Sequence, residues 1–133
     1  MNEDISKYEI KNAKIESTML GFEHSALSFW LMLDYGGSGQ GFGGIGLDGK
    51  WDKDKQSRVS HPFAGHCITG ILKAVGVERW EDLKGKHCRV LTEPGWSGSV
   101  KGIGNIIGDP EFTDWFIPAD VFNEHYKEAE SAA

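Results

Sequence analysis

Along the first third of the chain the apolar positions alternate, the mark of strands rather than helices. Residues 8–20 set Ile10, Asn12 and Lys14 against Lys11, Ala13 and Ile15, which predicts a half-buried strand near a sheet edge, ended by Gly21 and followed by a turn at Glu23-His24-Ser25. Residues 26–35 are the most apolar strand of the chain, with Leu27, Phe29, Leu31 and Leu33 on one face and Trp30 and Met32 on the other. Two apolar faces need cover on both sides, as in a central strand or one that meets a partner subunit. A return strand is expected over residues 41–47, with Ile45 and Leu47 inward, closed by a turn at Asp48-Gly49. Residues 50–58 (KWDKDKQSR) are charged and aperiodic and read as a surface loop with one aromatic, Trp51.

The period then changes. Phe63, Cys67, Ile68, Ile71, Leu72 and Val75 form one helical stripe, with Ser60 or His61 as N-cap, Pro62 in the first turn and Gly76 as the stop. Residues 78–83 (ERWEDL) predict a short helical turn that brings Trp80 and Leu83 to the core. Strand patterning returns over 86–91 and 99–107 around a turn at 93–98, and Gly102 and Gly104 mark a bulge or a close backbone approach. Trp115, Phe116 and Ile117 dock onto something apolar, and 118–129 reads as a terminal helix, apolar at Val121, Phe122 and Tyr126. The fold class is α+β: an antiparallel sheet in two strand groups around one main helix, with a C-terminal helix. The 133 residues make a single domain, in which 1–6 and 128–133 read as mobile ends.

Composition narrows the function. A formal charge of −6 opposes non-specific binding to duplex nucleic acid or an anionic membrane, because both depend on a basic surface. A small anionic ligand in a local basic pocket remains compatible. The two cysteines, Cys67 and Cys88, fall on the predicted main helix and a strand, and no secretory or membrane-spanning run is visible, so a reducing cytoplasm is the simplest setting.

The densest motif is the glycine stretch at 36–46. Gly39-Gln40-Gly41-Phe42-Gly43-Gly44 satisfies G-x-G-x-x-G, yet a dinucleotide fingerprint must open a helix, and Ile45-Gly46-Leu47-Asp48-Gly49 starts none. What survives is a strand return in which Gly41 is expected at positive φ, either purely structural or offering amides at Gly41 and Gly43 to a ligand. No histidine or cysteine spacing matches a closed zinc site, so no metal or cofactor is expected. Glu23-His24 and Asp34 could in principle form an acid–base group, but no nucleophile motif of the G-x-S-x-G type is present. Trp96, in a Pro/Gly/Ser turn, can stack on a base or pack on its own sheet. Among the cations, Arg58, between the charged loop and the helix, and Arg89, on a strand, are best placed to line a pocket, with Lys101 in reserve.

Several separated blocks, in order, carry a resemblance: residues 11–21 (KNAKIESTMLG), 33–44 (LDYGGSGQGFGG), 76–86 (GVERWEDLKGK) and 104–107 (GNII). Over about residues 10–117 the chain resembles the small phage proteins of the first Thoeris anti-defence family. The resemblance implies a non-enzymatic sponge in the cytoplasm of an infected bacterium. Such proteins assemble as homo-oligomers, hexamers in particular. They sequester cyclic ADP-ribose-type signals, and some hold the cyclic oligonucleotides of CBASS defence. It further implies pockets between protomers, with Asn105 and Trp96 as contacts to ribose or phosphate and to adenine. One departure stands out: basic residues near the C-terminus are expected to hold pyrophosphate, but no arginine follows Arg89, which leaves Lys101 and Lys127. The alternatives are an enzyme hydrolysing such a signal, with His24 or Asp34 as base, or a protein–protein inhibitor without a small ligand.

Overall fold

The computed structural model describes residues 5–95 and 98–132, with side chains as far as His125. Its framework is one five-stranded antiparallel sheet in the order β3-β2-β1-β6-β7, formed by β1 (Glu9–Glu23), β2 (Ala26–Asp34), β3 (Gly39–Gly43), β6 (His87–Thr92) and β7 (Val100–Gly104). Between β3 and β6 come a small hairpin, β4 (Trp51–Asp52) with β5 (Ser57–Arg58), and the main helix α1 (Pro62–Val75). Helix α2 (Pro118–Ala132) closes the chain. The architecture is α+β, as the sequence predicts, and the two strand groups join into a single sheet through the β1–β6 ladder.

Strand β1 departs from expectation. It runs through Gly21 to Glu23, and it is the middle strand rather than an edge. The physical reason lies in how it is shared: Glu9 to Lys14 pair with β6, whereas Lys14 to Glu23 pair with β2. Each half therefore has one unpaired side, which is why its sequence looks like an edge. The handover coincides with a bulge between Ile15 and Ser17, and a bulge adds local bend and twist. At the far end His24 and Ser25 both sit at positive φ (50° and 70°), as a two-residue type I′ hairpin requires.

The staggered sheet curls around α1. The helix starts at His61, whose Nδ1 accepts a hydrogen bond from the Phe63 amide at 3.0 Å, and it stops at Gly76 in the left-handed region. Its buried stripe of Phe63, Cys67, Ile71, Ala74 and Val75 meets Ile15, Phe29, Leu31, Leu33, Val90 and Ile103 of the sheet. Full burial of a large apolar side chain contributes about 1.5–3 kcal/mol, so this layer dominates the stability. The 3-10 turn at Trp80–Asp82 brings Trp80 edge-on to Phe29 and buries Leu83, as the sequence predicts.

The curl brings the two outer strands of the sheet, β3 and β7, near each other without joining them. Phe116 takes part of the gap: it exchanges backbone hydrogen bonds with Ile103 of β7 (3.0 and 2.9 Å) and sets its ring 6.5 Å from Phe42 of β3. Its neighbours Trp115 and Ile117 pack with Leu91 in a second cluster that also takes in Ile5 and Tyr8. Gly102 and Gly104 make room for this segment, so their absent side chains mark a close approach. Other boundaries differ from expectation. Strand β3 runs Gly39–Gly43 rather than 41–47, β7 ends at Gly104 rather than reaching 107, the ends of the 50–58 loop pair as β4 and β5, and α2 runs on to Ala132. Among the described residues no helix is long and apolar enough to cross a membrane.

Candidate functional site

Where β3 and β7 fail to meet, α2 roofs a cleft of about 470 Å³, lined by Trp30, Gly41, Gly43, Phe63, Lys101 and Phe122 among others. That volume falls in the range of small-ligand sites. Trp30 projects from β2 on the face opposite the core and lies over the glycines: a side chain at Gly41 would come within 2.8 Å of its Cζ3 atom. Its indole Nε1 donates to Glu23 Oε1 at 3.2 Å. Phe122, on the first turns of α2, stands edge-on to Phe63 with ring centres 5.7 Å apart and remains 45% exposed.

Gly41 itself is not at positive φ, contrary to the sequence expectation; Gly43 is, at 129°. The glycine at 41 answers to the Trp30 ring instead. The motif reading that rejected a dinucleotide fingerprint agrees with the structure, since no helix follows β3 before Pro62.

The cation of the cleft is Lys101 on β7. Its Nζ stands 3.9 Å from Glu93 Oε1, and the same oxygen accepts a hydrogen bond from the Ser99 hydroxyl. The Ser99 contact first, and then Lys101, holds the Glu93 carboxyl below its ordinary range. Ser99 also lines the cleft, three residues along the chain from Trp96, which lies outside the described residues.

Of the sequence-nominated residues, Gly41, Gly43 and Lys101 thus come together. Asn105 does not join them. It borders a separate recess of about 300 Å³ with Lys73, Ile107, Asp109 and Phe112. Its amide is engaged locally: Nδ2 donates to the Val75 carbonyl at 3.4 Å, and Oδ1 accepts from the Ile107 amide at 2.8 Å. Arg89, half-buried on β6, donates from its guanidinium to the Gly108 carbonyl at 2.6 Å and so braces the same loop. Arg58 is exposed on β5, 3.5 Å from the Gly49 carbonyl, and lines neither recess.

A third cleft of about 580 Å³ lies between α1 and α2 and gathers His66, Lys73, Asp114, Asp120 and Glu124. Three carboxylates against one lysine make it a poor receptor for an anion, which favours the cleft at Lys101. Its rim carries a contact the sequence did not disclose, His66 Nδ1 to His125 Nε2 at 2.9 Å, with the His61 ring 5.8 Å from that of His125.

The acid–base candidates are far apart. His24 occupies the turn at one end of β2 and Asp34 the other end, roughly 30 Å away at about 3.3 Å per residue. Asp34 Oδ1 instead accepts from the Gly36 amide at 2.8 Å. Burial pushes the free thiols of Cys67 and Cys88 up to about 12, so neither is a ready nucleophile. Among the described residues no group of three or more His, Cys, Asp or Glu side chains is placed to hold a metal ion.

Sequence reasoning missed Trp30, Glu93, Ser99 and Phe122. For Trp30 a signal existed: a large outward ring on a strand whose expected partner is nearly all glycine has nothing but backbone beside it. Compared with known proteins, the chain matches no family model, no curated protein and no solved structure.

Proposed function

We propose that this protein binds a cyclic nucleotide-derived immune messenger intact, a cyclic ADP-ribose isomer or a cyclic oligonucleotide, and lowers its free concentration as a non-enzymatic homo-oligomer. The observation that carries the reading is convergence: Gly41, Gly43 and Lys101, nominated from distant parts of the sequence, border one cleft with the exposed ring of Phe122 and the half-buried ring of Trp30. Such a cleft offers two of the contacts a nucleotide needs. Aromatic faces stack on a base for about 1–3 kcal/mol each, and an ammonium meets phosphate.

A sponge works through affinity alone. Its dissociation constant must lie below the concentration that triggers the defence effector, on the order of nanomolar, or about −12 kcal/mol. One lysine and two rings fall short of that, which favours a second protomer completing the enclosure.

The test is binding followed by recovery. Calorimetry of the full chain against cyclic ADP-ribose isomers and cyclic oligonucleotides should give saturable binding to at least one. Heat-denaturing the complex should then release the ligand chemically unchanged. A hydrolysed product would reject the sponge in favour of an enzyme, and no binding to any probe would favour a protein–protein inhibitor. Trp96→Ala should weaken binding about tenfold or more while leaving the thermal midpoint nearly unmoved.

A further inference from the structure

Glu93, which lies just outside the cleft lining and contacts the lining residues Ser99 and Lys101, carries an inference beyond that reading, although it rests on it. Glu93 follows β6 directly, and its backbone amide donates to the Ser99 carbonyl at 3.0 Å. Its Oε1 accepts from the Ser99 hydroxyl and faces Lys101, and the Ser99 backbone amide adds a lesser hydrogen bond to the carboxylate. Ser99, rather than Lys101, is the stronger influence on this carboxylate. The lysine sits at 3.9 Å with about half of both side chains exposed, and an exposed pair at that separation is held weakly. An incoming anion can therefore take Lys101 without uprooting Glu93.

We propose that Glu93 selects the ligand: its carboxylate, which has more lone pairs than Ser99 takes, accepts a hydroxyl of the bound molecule while the adjacent Lys101 takes an anionic oxygen, so the edge of the cleft recognises a sugar phosphate by both groups together. A carboxylate beside the ammonium also repels surplus negative charge, so molecules that offer phosphate without a neighbouring hydroxyl gain little from the site. The arrangement matches the general way a carboxylate reads ribose hydroxyls, with an ionised acceptor fixed in place by a second hydrogen bond.

The experiment is a calorimetric comparison of cyclic ADP-ribose with its 2′-deoxy analogues on the full chain. The unaltered protein should prefer at least one hydroxylated form about tenfold, the scale of one charge-assisted hydrogen bond. Glu93→Ala should abolish that preference, and Glu93→Gln, which keeps the shape and an acceptor but not the charge, should retain only part of it. Lys101→Ala should weaken both probes alike and leave the preference standing. A preference that is absent at the start, or that survives both Glu93 variants, overturns the assignment while leaving sequestration intact. Failure of every cyclic probe to bind the unaltered protein overturns sequestration, and this assignment with it.

Discussion

At the scale of single residues, the glycine-rich strand and Trp30 explain each other. A side chain at Gly43 would meet the Phe29 carbonyl and also demand positive φ, so strain there is set by backbone. At Gly41 the obstacle is a ring, which can move. Gly41→Val should therefore cost about 1–3 kcal/mol by overpacking, as read by chemical denaturation. In a Trp30→Ala background the same substitution should cost less than about 1 kcal/mol, because the obstacle is gone. An equal cost in both backgrounds would place the strain in the backbone and return Gly41 to the role its sequence first implied. The same packing shapes the cleft, since Trp30 can lie flat over β3 only where side chains are absent.

At the scale of elements, α1 is the piece most fully written in the sequence. Its stripe, its proline and its terminal glycine all recur in the structure, because each acts through neighbours within a few positions along the chain. The start is equally local: His61→Ala removes the acceptor for the Phe63 amide and should destabilise the protein by about 1 kcal/mol. His61→Asp, which restores a capping oxygen, should recover most of that loss in thermal unfolding; no recovery would shift the weight to the contact of His61 with His125. Strand β1 was legible as a strand but not as the centre, because its edge-like pattern arises from two partners that each use half of it. Periodicity reports what one side of a strand meets and cannot report where a handover occurs. The cleft was legible only in part for a similar reason. Gly41, Gly43 and Lys101 could be nominated singly, whereas their meeting depends on how far the sheet curls. Asn105 and Arg89 show the converse, since side chains nominated for a ligand are engaged in bracing the loop after β7.

At the scale of the whole molecule, the exposed apolar surface around that loop is where the proposed assembly can be tested. Ile107 and Phe112 are 80% and 83% exposed in the isolated chain, and both border the recess that Asn105 shares with Lys73 and Asp109. Two large apolar side chains exposed beside a braced, polar recess would suit one half of a self-complementary interface, were the chain to assemble as proposed. If assembly runs through this face, Phe112→Ser should lower the mass measured by light scattering toward that of a 14.7 kDa monomer. The thermal midpoint at low protein concentration should barely move, because Phe112 contributes little to the core of its own chain. Ile107→Ser should act in the same direction, and the pair together should not exceed full dissociation. The variants also separate assembly from ligand capture. A cleft completed by a second protomer predicts that messenger affinity falls with the measured mass, whereas a cleft sufficient within one chain predicts unchanged affinity in a monomer.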